Sequence, residues 1–149
     1  MVGKRAGRRD RSDSPIRAAG VHGAAPCPCG SGRTYAQCCE PLHDGAPAPT
    51  AQALMRSRYT AFALGDEDHL FRTWHPRTRP RPPYWAPGTS WTGLRVVAVE
   101  GGGEADEEGI VTFEASWRDG TTGRTGAQRE RSRFERRRGL WVYVSGTDR

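Results

Sequence analysis

The stretch C-P-C-G-S-G-R-T-Y-A-Q-C-C, Cys27 to Cys39, holds all 4 cysteines of a 149-residue chain, in the spacing C-x-C-x8-C-C. Four soft thiolates delivered by one short loop and one helical turn suit a tetrahedral metal site. Pro28 restricts the turn between Cys27 and Cys29. Gly30 and Gly32 let the backbone reverse, because glycine tolerates positive φ. Arg33 to Gln37 then form a single turn that brings Cys38 and Cys39 back to the same centre. The alternatives are two disulfides or buried free thiols. Disulfides fit poorly, since no secretory signal is expected and reducing compartments disfavour them. The reading is one structural zinc on Cys27, Cys29, Cys38 and Cys39, with His43 a much weaker candidate donor.

The same residues resemble the SEC-C motif, a small zinc knuckle first described at the C-terminus of the SecA translocation ATPase. The resemblance rests on C-P-C-G-S-G, the aromatic Tyr35 and the Cys38-Cys39 pair. Many copies are lysine-rich between the cysteine pairs, whereas Arg33 is the only cation in this gap.

The chain is long enough for one domain with a sizeable core plus the knuckle. Its hydrophobic content of 35% and mean hydropathy of −0.77 point to some of it lying outside any core. The net charge is +6, unevenly spread. Met1 to Gly20 holds 6 cations and 2 acids, and Gln128 to Arg138 holds 6 arginines and 2 glutamates. Glu100 to Asp119 holds 7 acids and 1 arginine. A solvated arginine-rich surface accounts for this better than a nucleic-acid footprint does.

Residues 1–25 carry arginines without apolar periodicity and read as a disordered basic tail. No apolar run follows those arginines as a signal peptide would require, and none elsewhere is long enough to span a membrane. The expectation is a soluble, cytoplasmic protein. Residues 26–43 form the knuckle, and Pro41 to Pro49 is a proline-rich linker that separates it from a domain over 50–147.

Thr50 is placed to cap a helix over Ala51–Leu64, and Gly65 to stop it. At 100° per residue Leu54, Met55, Tyr59, Ala61 and Phe62 share one face, with Arg58 in its middle and Arg56, Thr60 and Ala63 opposite. An arginine in an apolar stripe must snorkel out or find a carboxylate. Asp66 caps a second helix reaching about Trp74, with Glu67 and Asp68 at its positive end. Arg77 to Ser90 is a proline-rich loop. Strands are expected at Trp91–Glu100, Gly109–Arg118, about Gly126–Arg136 and Leu140–Ser145, joined by hairpins. That is an α+β chain with a four-stranded antiparallel meander. Period-two alternation puts Gln128, Glu130, Ser132 and Phe134 inward and Arg129, Arg131 and Arg133 outward. Glu130 is therefore the expected partner of Arg58 in a buried salt bridge.

L-M-R-S-R-Y-T-A-F-A-L-G-D at Leu54 to Asp66, T-W-H-P at Thr73 to Pro76, E-R-S-R-F from Glu130, W-x-Y at Trp141 to Tyr143 and Gly146-Thr147 resemble the YchJ family. These are bacterial proteins of unassigned activity that pair SEC-C knuckles with a nuclear-transport-factor-2-like domain. The resemblance implies a cone: helices packed on a curved four-stranded antiparallel sheet around a cavity. That fold hosts isomerases, dehydratases and plain binding domains alike, so it does not decide function.

The first functional reading is a non-enzymatic zinc-binding adaptor or binding protein. Its knuckle would be a docking surface for a protein partner and its cone a scaffold or small-ligand site. The second is a small-molecule enzyme of isomerase or hydrolase type, with Arg58, Tyr59, Trp74, His75, Glu130 and Ser132 as pocket candidates. His75 and Glu130 are its only acid–base pair, and no catalytic residue is assigned. The third is nucleic-acid association through the basic tail.

Overall fold

The computed structural model describes residues 21–148, so the basic stretch 1–20 lies outside the described residues. Residues 21–25, assigned above to the tail, are part of the knuckle. Ala25 accepts the Tyr35 N–H at 2.9 Å and Gly23 accepts that of Ala36 at 2.9 Å. After the cysteine loop come a 3-10 turn at Tyr35–Gln37 and a short helix α1 at Glu40–His43. The segment read as a linker therefore begins as helix.

Helix α2 spans Ala51–Leu64 as its sequence demands. The Thr50 hydroxyl accepts the Ala53 N–H at 3.0 Å, and Gly65 ends the helix at φ 77°, a value that favours glycine. Helix α3 spans Glu67–Arg72, shorter than expected, with the Asp66 carboxylate accepting the His69 N–H at 3.2 Å. Residues 73–75 leave the helix because they pair with the last strand. Tyr143 N donates to Thr73 O and His75 N donates to Tyr143 O, both at 2.8 Å.

The sheet has strands β1 (Thr89–Gly101), β2 (Glu108–Asp119), β3 (Thr125–Arg137) and β4 (Leu140–Asp148) in the order β1-β2-β3-β4, all antiparallel. Each strand is longer than its sequence signal, because the ladder continues past the last inward apolar residue. Register shifts at Trp91/Gly93 and Val96/Ala98 in β1, and at Arg133/Phe134 in β3, curve the sheet. Its concave face receives α2 over Val111, Ala115, Ser132 and Phe134, all buried.

The convex face answers the charge pattern. Glu114 pairs with Arg95 at 2.9 Å and with Arg129 at 3.5 Å, and Glu100 pairs with Arg131 at 3.2 Å. Arg133 pairs with Glu135 at 2.6 Å. Arg136 donates from Nε to Asp106 O and from Nη2 to Glu104 O, both at 2.7 Å, holding the loop between β1 and β2. The acidic and basic runs thus meet on one face of the sheet, where Arg95, Arg129, Arg131 and Arg133 are spent on its acids and Arg136 on loop carbonyls.

The knuckle is not set apart from the cone. Cys27, Cys29, Tyr35 and Cys39 belong to one hydrophobic core with Ala51, Leu54, Met55, Tyr59, Val111, Ala115, Phe134 and Trp141. The separation expected of Pro41 to Pro49 is therefore corrected. The α2 face carrying Thr60, opposite the stripe in the helical projection, meets protein rather than water, and Ser57 and Thr60 are both fully buried.

Candidate metal centre and cavity

One sulfur from each of Cys27, Cys29, Cys38 and Cys39 lies within 4.8 Å of all the others. Cys29 and Cys38 are 3.6 Å apart at sulfur, and Cys38 and Cys39 are 3.9 Å apart. A tetrahedron with metal–sulfur bonds of about 2.3 Å has edges of about 3.8 Å, so four ligands to one ion fit this cluster. Without a cation the thiols compete for protons. Contact with Cys29 pushes Cys27 up to about 11, while contact with Cys27 holds Cys29 far below the ordinary thiol range. Cys39 is pushed up chiefly by Cys27 and Cys29 and then by burial. A bound cation removes that conflict, because thiolates rather than thiols are its ligands.

Around the sulfurs the chain supplies hydrogen bonds. Ser31 Oγ donates to Cys38 at 3.2 Å, and Thr60 Oγ1 donates to Cys39 at 3.3 Å. Arg56 Nη1 donates to Cys29 O at 2.8 Å, tying α2 to the cysteine loop. His43 is no ligand. Its Nε2 lies 2.8 Å from Ser57 O and its Nδ1 2.8 Å from the Tyr35 hydroxyl, so both ring nitrogens are used inside the core. Nε2 carries the proton in that network, since a carbonyl can only accept.

On the other side of α2, between helix and sheet, lies a cavity of about 260 Å³. Arg58, Tyr59, Trp74, Glu130 and Ser132 contribute to its wall, five of the six candidates read from the sequence. His75 does not. Its ring nitrogen Nδ1 accepts the Arg77 N–H at 3.0 Å at the exposed start of the following loop. The helix ends before His75, whose backbone is drawn to β4 instead, and the only acid–base pair expected from the sequence is therefore not assembled.

The expected Arg58–Glu130 salt bridge is also replaced. Arg58 is buried, but its Nη1 donates to Leu70 O at 3.1 Å and to Thr73 Oγ1 at 2.7 Å. The guanidinium carbon lies 4.7 Å from the centre of the Trp74 ring and 4.5 Å from that of Tyr143. Glu130 Oε2 accepts from Ser132 Oγ at 2.6 Å and from the Tyr143 hydroxyl at 2.9 Å. Tyr143 thus stands between cation and carboxylate, offering a ring face to one and a hydroxyl to the other. The inward register of β3 is as expected; an intervening aromatic decides the pairing.

Burial draws the Arg58 guanidinium down to about 10, opposed by the charges of Tyr143 and Glu130. Burial likewise pushes the Tyr59 phenol up to about 12 and raises Tyr143, with Glu130 adding to the latter.

Two family models match this chain: the SEC-C motif over residues 25–41, and the middle NTF2-like domain of YchJ over residues 50–146. The chain belongs to the YchJ family. A UPF0225 protein of Streptomyces coelicolor is 52% identical over 122 residues, which cover 81% of this chain and 94% of the relative. One from Deinococcus radiodurans is 50% identical over 124 residues, covering 83% and 89% respectively. The solution structure of a SEC-C motif containing protein from Rhodopseudomonas palustris superposes with a TM-score of 0.73 at 36% identity, over 83% of this chain and 98% of that one. A crystal structure of a SEC-C motif containing protein from Psychrobacter arcticus gives 0.70 at 28% identity, over 85% and 84%. The NTF2-like cone is thereby the fold of this YchJ-family chain.

Sequence reasoning missed several wall residues: Phe62, Trp91, Phe113, Gln128 and Tyr143. Gln128 was on an inward face already and could have been named from alternation alone. Tyr143 could not, because Trp141, Val142 and Val144 on both its sides are also buried and β4 shows no period-two signal. Among the described residues no helix is long and apolar enough to cross a membrane.

Proposed function

We propose that this YchJ-family protein is a zinc-stapled small-ligand-binding protein, with the cone cavity as its binding site and the metal knuckle as the brace of that cavity. The observation that carries the reading is the cavity itself, bounded by α2 and the sheet and lined by aromatic rings around two charged side chains, Arg58 and Glu130. Pockets of this composition, mostly apolar with a few placed polar groups, are the usual form of small-molecule sites. Zinc suits the metal centre because four cysteine thiolates form a closed soft set with no position left for substrate, the pattern of a structural rather than a catalytic ion. Binding rather than catalysis is supported by His75 lying off the wall and by Glu130 already accepting two hydrogen bonds. The knuckle offers a protein partner little to dock on, since Cys27, Cys29, Tyr35 and Cys39 are buried in the core it shares with α2 and the sheet.

The test is a fragment collection of mixed charge titrated into the zinc-loaded full chain, followed by amide and aromatic chemical shifts. Binders should perturb Tyr59, Trp74, Trp91 and Phe113 together. Perturbations confined to the outer face of the sheet, or none with any class of fragment, would end this reading.

A further inference from the structure

Arg58 uses one nitrogen and leaves two unspent. Nη1 donates to Leu70 O and Thr73 Oγ1, while Nε and Nη2 have no acceptor among the described residues. Nor does Arg58 form an ion pair among them. The side chain is 5% exposed, packs over the Trp74 and Tyr143 rings, which meet each other nearly at right angles, and forms part of the cavity wall. A buried cation held by two neutral oxygens and two ring faces is under-compensated, because desolvation of an ion costs several kcal/mol unless a counter-charge answers it. The unspent edge is the parallel N–H pair that matches the two oxygens of a carboxylate.

The second charged group of the cavity wall offers the opposite feature. Glu130 Oε2 is taken by Ser132 and Tyr143, but its Oε1 has only a long contact of 3.4 Å from Gln128 Nε2. An open carboxylate oxygen repels a second anion beside it and accepts from a hydroxyl or ammonium group. Phe62, Trp91 and Phe113 supply apolar wall in the same cavity. At about 260 Å³ it falls just below the range of roughly 300–1,000 Å³ typical of drug-sized ligands, so its occupant is compact.

We propose that the cavity binds a small carboxylic acid with an apolar or single-ring body and a hydroxyl or amino group. Its carboxylate lies on the Nε–Nη2 edge of Arg58 and its donor group on Glu130 Oε1. This rests on the reading of the cavity as a ligand site and adds the chemical class.

Trp74 and Trp91 in the wall make intrinsic fluorescence the readout. The zinc-loaded full chain is titrated with para-hydroxybenzoate, its amide, tyramine and benzoate, and with short-chain hydroxy acids and their amides. The acids should bind about tenfold or more tighter than the matched amides, and benzoate more weakly than its hydroxylated counterpart. Arg58→Lys keeps the charge but removes the fork, and should cut acid affinity about tenfold while sparing the amides. Glu130→Gln should erase the advantage of the hydroxyl. Amides or amines binding as tightly as acids would overturn the proposal yet leave the cavity a ligand site. So would an unchanged acid affinity in folded Arg58→Lys. Silence from acids, amides and amines alike would remove the cavity reading and this proposal together. The acid–amide comparison needs no variant, so it stands even if a substituted Arg58 fails to fold.

Discussion

Thr60 Oγ1 lies 3.3 Å from Cys39 Sγ, so the helix that walls the cavity also donates into the thiol cluster. Arg58 and Tyr59, the two residues before Thr60, line the cavity on the other side. One helical turn therefore serves both places. What disturbs the metal centre reaches the cavity through a single rigid element rather than through a linker.

Chelation should therefore weaken the whole molecule. The holo protein is expected to carry one zinc per chain and to unfold in one transition. Removing the metal should lower that transition and change the emission of Trp74 and Trp91, which lie in the cavity wall. Metal analysis, calorimetry and fluorescence check this together. Cys38→Ser should lose most of its zinc; full zinc content in that variant, or an apo protein whose main transition is unmoved, would refute the coupling.

Thr60→Val isolates the link. The substitution keeps shape and burial but removes the hydrogen bond to a sulfur that is negatively charged when it ligates metal. Hydrogen bonds to charged groups contribute about 1.5–3 kcal/mol, and a loss of that order is expected in the zinc-bound protein. The apo protein should lose less, since a neutral thiol is a poorer acceptor. Equal losses with and without metal would mean that Thr60 acts by packing alone.

Much of the fold was legible because its signals were local. Thr50, Gly65 and the cysteine spacing each constrain their own few residues, and α2 matches its predicted bounds to the residue. The candidate site was legible as a set of inward faces but not as contacts. The burial of Ser57 and Thr60 follows from where the knuckle docks, which a helical projection does not contain. The detour of Arg58 away from Glu130 depends on Tyr143, a residue whose strand is buried on both sides and hides its orientation. His75 failed for a related reason: backbone bonds to β4 outcompeted the continuation of α3.

Stability should fall at alkaline pH with a sign set by the buried phenols. Tyr59 is raised from 10.0 to about 12, so its folded form stays protonated where the unfolded chain ionises. Its contribution is complete below pH 10 and is lost as pH rises through about 12. Tyr143 is raised as well and acts in the same sense. Arg58 opposes them. Lowered from the ordinary guanidinium range to about 10, it gives up its proton earlier when folded, which favours the folded state as pH climbs above that value. Two phenols against one guanidinium leave a net decline above pH 10. Thermal melts across that range should show it, and Tyr59→Phe should make the decline shallower. A flat profile would contradict the burial of both rings.

Tyr143→Phe tests the residue that separates cation from carboxylate. The ring stays over Arg58, so that contact survives, while Glu130 Oε2 keeps only its bond from Ser132. A cost of about 1.5–3 kcal/mol is expected, the range for a hydrogen bond to a charged acceptor. Tyr143→Leu should cost more, because the face against Arg58 goes too. Indistinguishable variants in denaturant unfolding would show that the hydroxyl and ring are not separate contributions.

Gly146 is the position where sheet and carboxylate come closest. It pairs with Ser132 across β3 and β4, and a Cβ built there would fall on the Glu130 carboxylate. The colliding atoms are the end of a flexible side chain, so Gly146→Ala need not break the strand. Glu130 would swing aside instead and give up its bonds from Ser132 and Tyr143. The expected cost is about 1–3 kcal/mol, that of overpacking relieved by a side-chain shift. Glu130→Ala removes the obstacle and the same two bonds, so the double variant should cost clearly less than the sum of the singles. A coupling of at least about 0.5 kcal/mol is the expectation for residues in direct contact. Additive losses in denaturant melts would mean that Glu130 does not lie over Gly146, and the inward carboxylate of the cavity would have to be sought elsewhere.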